Sequence, residues 1–107
     1  MTSGIKIVAE IEGAGTVAEK GDTVAFDSAA SLNKGTELHA RRPDSVVLGS
    51  RRFIAGVEGA LLGMREGGYR KVRISPHLAY GAAGVEGTIP ANAVLVYELW
   101  LISVRKE

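Results

Sequence analysis

The sequence predicts an α+β fold, in which a curved antiparallel sheet of about five or six strands wraps one short central helix. The chain has 107 residues, the length of one domain, and 46% of them are hydrophobic, enough to fill a core. Several short segments alternate between apolar and polar residues as strands do, whereas only one segment shows helical spacing. Fourteen glycines lie mostly between these segments, where they mark turns. We therefore assign residues 1–107 to a single domain.

The N-terminal half is predicted to form strands. Residues 5–11 and 23–28 alternate, so each should bury one face. Residues 36–40 and 45–48 are predicted as two short strands separated by Pro43, which lacks an N–H for a sheet ladder. The residues expected to face the core here are Ile5, Ile7, Ala9, Ile11, Val24, Phe26 and Ser28.

The helix is predicted over residues 52–62. Apolar residues recur every fourth position from Phe53 to Leu61, which is the spacing of one helix face. Ser50 could cap the first turn, and Gly63 could end the last.

The C-terminal part is predicted to return to strands. Residues 69–75 alternate up to Pro76, residues 76–93 form a loop rich in glycine and alanine, and residues 94–104 form the longest strand. Alternation turns Trp100 outward, where an apolar surface can mark a contact site. The residues expected to be buried in the finished fold are Phe26, Val57, Leu61, Val72, Ile74, Leu99 and Leu101.

Composition excludes several kinds of chemistry. The chain has no cysteine and two histidines, which excludes disulfides and thiolates and argues against a multi-histidine metal site. Gly13, Gly15 and Ala18 fit a dinucleotide fingerprint, but a strand rather than a helix is predicted after them. No apolar run approaches the roughly 18 residues of a membrane span, and no leader peptide is recognisable. We expect a cytoplasmic protein without cofactor, metal or membrane contact.

Charge is unevenly distributed along the chain. Net charge is +1, but residues 39–73 hold eight Lys and Arg against three Asp and Glu. We interpret this basic segment as a solvated rim, with an acidic partner as the alternative. No aromatic platform accompanies it, so nucleic acid is not expected as a partner.

Four motifs in the second half occur in a specific order and spacing. They are Val47-Leu48-Gly49 leading to Phe53-Ile54-x-Gly56-x-Glu58, then Gly63-Met64-x-x-Gly67-Gly68, then Ser75-Pro76-x-Leu78-Ala79-Tyr80-Gly81, and finally Ile89-Pro90-x-Asn92-Ala93-x-Leu95-Val96-Tyr97-Glu98. With these motifs the sequence resembles the FKBP family of peptidyl-prolyl cis–trans isomerases, from about Gly21 to the C-terminus. The resemblance implies an FKBP-like fold, rotamase activity on proline-containing peptides or proteins, a chaperone role in protein folding, and binding of macrolide ligands.

The resemblance also implies the site. Phe53, Ile54, Ile89 and Tyr97 should line an apolar pocket, and the Ile54 N–H and the Tyr80 hydroxyl should hydrogen-bond ligand carbonyls. Tyr80 is thus the expected catalytic residue. Rotation about the prolyl amide crosses a barrier of roughly 18–20 kcal/mol without making or breaking a bond, so no nucleophile is needed.

Several expected pocket positions depart from the family pattern. The family usually has tyrosine, phenylalanine, aspartate and a large aromatic where this chain has Ser28, Leu38, His39 and Val57, and it often has aromatics at Asp44 and Val46. These departures predict a wider, deeper and less aromatic pocket, with reduced or retuned catalysis and weakened macrolide affinity. The expected substrate-binding residues are therefore Ser28, Leu38, His39, Val46, Phe53, Ile54, Val57, Ile89 and Tyr97.

Two functions stay open on the sequence. The first is a prolyl isomerase that assists folding, and the second is a non-catalytic FKBP-fold module that binds a protein or a ligand. A weak homodimer or a protein partner through the Trp100 face is a further expectation.

Overall fold

The alternating segments form one antiparallel sheet in the computed structural model of the protein, which describes residues 3–106. The sheet order is β1-β4-β5-β2-β3. The elements are β1 (Ile5–Ile11), β2 (Thr23–Leu32), β3 (Glu37–Val47), α1 (Ala55–Leu61), β4 (Tyr69–Ile74), a 3-10 turn (Pro76–Leu78) and β5 (Leu95–Arg105). The predicted α+β fold is confirmed.

The core lies between the sheet and α1. Strand β2 contributes Val24 and Phe26, and α1 contributes Val57 and Leu61, all at most 1% exposed. Burying such a side chain stabilises the fold by about 1.5–3 kcal/mol. All seven residues predicted as core are buried, namely Phe26, Val57, Leu61, Val72, Ile74, Leu99 and Leu101.

The two edge strands differ from the prediction. The segments 36–40 and 45–48 belong to one strand, β3, which runs through Pro43. Proline is tolerated there because β3 pairs with β2 alone, so its outer side needs no N–H donors. In β1, the expectation that Ala9 and Ile11 face the core is wrong, since both are exposed. A register shift between residues 7 and 9 interrupts the alternation.

The helix begins later than predicted, and Ser50 does not cap it. The carboxylate of Glu58 instead accepts hydrogen bonds from the backbone N–H groups of Gly49 (2.8 Å) and Phe53 (3.2 Å). Arg51 has a φ of 64°, which is incompatible with helix. Glu58 therefore holds residues 49–53 as a loop in front of α1.

The C-terminal end of α1 is closed by two residues. Gly63, at the predicted stop, has a φ of 84°, a conformation that favours glycine. The Arg70 guanidinium donates to the carbonyls of Ala60 (2.9 Å) and Leu62 (3.3 Å), and it pairs with Glu10 at 2.6 Å. Arg70 is buried, so the interpretation of the basic segment as a solvated rim is wrong for this residue.

The outer sheet face partly covers Trp100. The Arg41 guanidinium lies 4.0 Å from the Trp100 ring centroid and pairs with Asp27 at 2.9 Å. The Tyr69 ring lies 5.4 Å from Trp100 on the other side and donates its hydroxyl to Glu98 at 2.6 Å. Desolvation, followed by this hydrogen bond, raises the pKa of Tyr69 to about 12. Trp100 faces outward as predicted but is only half-exposed.

The C-terminal end of the described chain is tied to the loop before β2. Lys106 donates to the carboxylates of Asp22 (2.6 Å) and Glu19 (2.8 Å). The hydrogen bond from Lys106 lowers the pKa of Asp22 below its usual 3.8, although desolvation opposes it. The same bond raises the pKa of Lys106 above 10.5.

We expect this pair to make stability depend on pH at both extremes. A lowered Asp22 pKa contributes stability that is present above about pH 4 and is lost as pH falls through the folded pKa. A raised Lys106 pKa contributes stability that is present below about pH 10.5 and is lost as pH rises through the folded pKa. Urea unfolding across pH should show both losses reduced in Lys106→Gln but retained in the exposed-turn control Lys34→Gln. Parallel pH profiles for wild type and Lys106→Gln would contradict this.

Two further results concern the described residues 3–106. None of their helices is long and apolar enough to cross a membrane. Within the same range, no group of three or more His, Cys, Asp or Glu side chains is placed to hold a metal ion.

Candidate functional site

The segment before α1 presents a backbone donor. Ile54 is the N-cap residue, with φ −58° and ψ 146°, and its carbonyl accepts from the N–H groups of Val57 and Glu58. Its own N–H has no acceptor among residues 3–106. The Ile54 side chain is half-buried against the core. The loop that Glu58 fixes thus holds a free N–H beside an apolar surface.

Tyr97 on β5 contacts one of the other expected pocket residues, His39. Its ring meets His39 edge-on, with 6.1 Å between centroids. Burial raises the pKa of Tyr97 to about 12; the Tyr80 phenol adds to the rise and the Arg42 guanidinium opposes it. Tyr97 is therefore a neutral hydroxyl at physiological pH, packed against His39 and within electrostatic range of Tyr80.

The loop between β4 and β5 carries Tyr80 and Ile89. The Tyr80 carbonyl accepts from the Gly84 N–H at 3.0 Å, and Ile89 exchanges two backbone hydrogen bonds with Val85 at 2.7 and 2.8 Å. The loop is therefore closed on itself. The Tyr80 side chain is 38% exposed, and within the described residues its hydroxyl makes no hydrogen bond to protein.

Three of the expected pocket residues are buried. Val57 is 1% exposed, Ser28 is 6% exposed and Val46 is 2% exposed, so they belong to the core. Phe26, also 1% exposed, packs edge-on against Phe53 with 5.6 Å between centroids. Phe26 lies on β2 together with Ser28, and its packing against Phe53 favours a closed floor beside Ser28 and Val57. The wider and deeper pocket stays a prediction.

The expected site residues fall into two groups. Ser28, Val46 and Val57 are buried. The others keep exposed surface, namely Leu38, His39, Phe53, Ile54, Tyr80, Ile89 and Tyr97. Sequence reasoning missed Phe26 as a filler of the floor and Arg42 as a charge near Tyr97. The position of Phe26 could have been found from the sequence, because alternation places it on the same face as Ser28.

The expected site residues that keep exposed surface would together offer an apolar surface with neutral hydrogen-bond donors. The donors are the Ile54 N–H and the hydroxyls of Tyr80 and Tyr97. Such a surface can hold a peptide segment by its carbonyls while an apolar ring packs beside them. This is chemistry of binding and conformational change rather than bond cleavage.

Known proteins resemble this chain in sequence and fold. A family model for FKBP-type peptidyl-prolyl cis-trans isomerases matches residues 15–102. FK506-binding protein 1A of Neurospora crassa is 36% identical over an alignment of 107 positions, which covers 95% of this chain and 89% of that protein. FK506-binding protein 1 of Dictyostelium discoideum is 35% identical over 106 residues, which cover 95% and 99%.

A solved structure is also similar to this chain in fold. FkpA from Escherichia coli superposes with a TM-score of 0.78 at 32% sequence identity, over 94% of this chain and 47% of that one. The match therefore spans about half of the FkpA chain. The family match, the relatives and the shared fold together show that the chain belongs to the FKBP-type peptidyl-prolyl cis–trans isomerase family.

Proposed function

We propose that this isomerase acts on Xaa–Pro bonds of peptides and proteins at the surface formed by Ile54, Tyr80, Ile89 and Tyr97. The observation that carries the proposal is the pair of donors, the Ile54 N–H and the Tyr80 hydroxyl, which have no acceptor among the described residues. Ile54 is half-buried, and polar groups that lose contact with water are normally paired, so its unpaired N–H favours a ligand with carbonyl groups. The exposed Tyr80 hydroxyl is accessible to a second carbonyl.

The mechanism follows from the chemistry of the prolyl amide. Twisting the bond removes resonance, so the twisted amide is less polar than either planar form and is favoured by an apolar surface. In the proposed arrangement, Tyr97 and Ile89 contact the proline ring. The Ile54 N–H and the Tyr80 hydroxyl donate to carbonyls that flank the rotating bond and hold the chain on either side of it.

The closed floor supports reduced or retuned catalysis and weakened macrolide affinity. A proline ring on a shallow surface makes fewer carbon contacts than one in a deep pocket. Each contact contributes only about 0.1–0.2 kcal/mol, but a ring makes dozens. The same loss applies to the larger ring system of a macrolide.

A substrate panel tests the proposal. NMR exchange spectroscopy on peptides that differ in the residue before proline should show catalysis, fastest for bulky apolar residues, which gain contact with the half-exposed Phe53 and Ile54. The absence of catalysis on every peptide would overturn the proposal. The second candidate, a non-catalytic binding module, is favoured by the closed floor, and binding of the same peptides without acceleration would support it.

The closed floor also yields a prediction about Val57. Val57→Trp should lower the free energy of unfolding by about 1–3 kcal/mol, because a large ring enters a core that Phe26 already fills. The double variant Phe26→Val/Val57→Trp exchanges the large and small side chains and should recover most of this loss. Chemical denaturation of the three proteins measures it. Val57→Trp with wild-type stability would show that the floor is open after all.

We further propose the outer face around Trp100 as a weak self-association or protein-binding surface. Ile102 is 54% exposed beside the half-covered Trp100, which supports an apolar contact there. Sedimentation at increasing concentration should show association of the wild type that Ile102→Glu and Trp100→Glu abolish. A monomer at every concentration would contradict self-association. The cytoplasmic location and the role in protein folding stay predictions.

A further inference from the structure

The solvent face of α1 is apolar. Ala55 and Leu62 are exposed, and Gly59 between them is partly exposed, so one side of the helix presents no polar side chain. A surface helix ordinarily carries charged or polar residues on this side. Leu62 is 42% exposed. This face has no covering element among the described residues.

The apolar face forms one wall of a groove of about 540 Å³. Phe53, Leu78 and Ile5 provide the rest of its apolar surface. Gly59 lets Ile5 of β1 approach the helix closely, because a Cβ at this position would come within 2.8 Å of the Ile5 side chain. The groove has the size of a small-ligand or side-chain site.

The rim of the groove is basic. Lys20 and Arg51 line it, and the methylene groups of Lys20 lie against Gly49. Neither cation has an ion pair within the described residues. The one carboxylate in the groove, Glu58, is 7% exposed and already accepts two backbone N–H groups. The groove therefore presents two cations without an ion pair and one buried carboxylate beside an apolar floor, a net positive charge.

From this arrangement we infer that the groove is a second binding site, which takes an acidic peptide segment with an apolar anchor. The anchor side chain lies on Leu62, Leu78 and Phe53, and a carboxylate on either side of it meets Lys20 or Arg51. Charge complementarity selects this occupant over a basic or neutral chain. The site requires no proline, and it shares only Phe53 with the proposed substrate surface.

Proline-free probes test the site. Acetyl-Glu-Leu-Phe-Glu-Leu-amide, titrated into labelled protein, should shift NMR signals of Gly59, Leu62 and Arg51. The matched peptide with glutamine in place of glutamate should bind roughly fivefold or more weakly, since two ion pairs are lost. Equal binding of both peptides would overturn the assignment of an acidic occupant.

Substitutions in the groove test which residues contribute to binding of the acidic peptide. Arg51→Gly removes one cation at a backbone conformation that glycine prefers, so folding is retained, and it should weaken binding of the acidic peptide roughly two- to fivefold. Leu62→Asp should weaken it by about tenfold or more, because it removes apolar area and adds repulsion. The control Lys34→Gln should bind as the wild type does.

Three outcomes would overturn the inference. The first is no binding by the folded wild type. The second is a set of signal shifts confined to Tyr80 and Tyr97, which would place the peptide at the catalytic surface. The third is concentration-dependent self-association that Leu62→Asp abolishes, which would make a second copy of the chain the occupant.

Discussion

Replacing Arg70 by methionine should lower the free energy of unfolding by about 2–4 kcal/mol. The Arg70 side chain is 10% exposed and serves three groups at once, the carboxylate of Glu10 and the carbonyls of Ala60 and Leu62. Methionine fills part of the volume but leaves the carbonyls at the end of α1 without a donor. Glu10 is 39% exposed, so water satisfies it in the variant and the loss stays below that of a fully buried pair.

Arg73 provides the matched control on the same strand. Its side chain is exposed and donates to the Asn33 side chain at 3.1 Å. Arg73→Met should change stability by less than about 0.5 kcal/mol. Urea or guanidinium unfolding of both variants measures the difference. Equal losses in the two variants would show that Arg70 has no special part in closing α1.

Replacing Ile54 by proline should reduce kcat/KM on an Xaa–Pro peptide by roughly 10- to 100-fold, the equivalent of losing one hydrogen bond of about 1–3 kcal/mol. Proline deletes the N–H that we assign to a substrate carbonyl. The backbone accepts this change, because φ is −58° at Ile54 and the N–H has no protein acceptor among residues 3–106. Catalysis should therefore fall while the fold persists.

The contribution of the Ile54 side chain to catalysis must be separated from that of its N–H. Ile54→Ala removes apolar surface but keeps the donor, so the difference between the alanine and proline variants isolates the N–H. Thermal unfolding of both verifies that they are folded. If Ile54→Pro and Ile54→Ala have the same kcat/KM, the N–H is not used and the assignment is wrong.

Much of the fold could be predicted from period-two alternation. It placed Val24, Phe26 and Leu99 in the core, and all three are buried. The same rule places Arg70 inward with Val72, but its charge led us to assign it to the solvated rim. Its burial depends on a carboxylate from β1 and carbonyls from α1, which are contacts between elements that local pattern does not contain.

The boundaries of α1 and the depth of the site also depended on contacts between elements. The start of α1 is set by Glu58, whose carboxylate holds two loop N–H groups that no helical spacing reveals. The depth was predicted by comparing Ser28 and Val57 with the family one position at a time. Phe26 packs against Phe53 and lies in the same core cluster as Val57, and such a comparison does not contain these contacts.

One measurement tests the account most directly. NMR exchange spectroscopy compares the cis–trans rate of one Xaa–Pro peptide with wild type and with the double variant Ile54→Pro/Tyr80→Phe, which lacks both free donors. The account predicts that wild type accelerates exchange and that the folded double variant loses nearly all of this acceleration. A wild type without acceleration, or a double variant as fast as wild type, would contradict it.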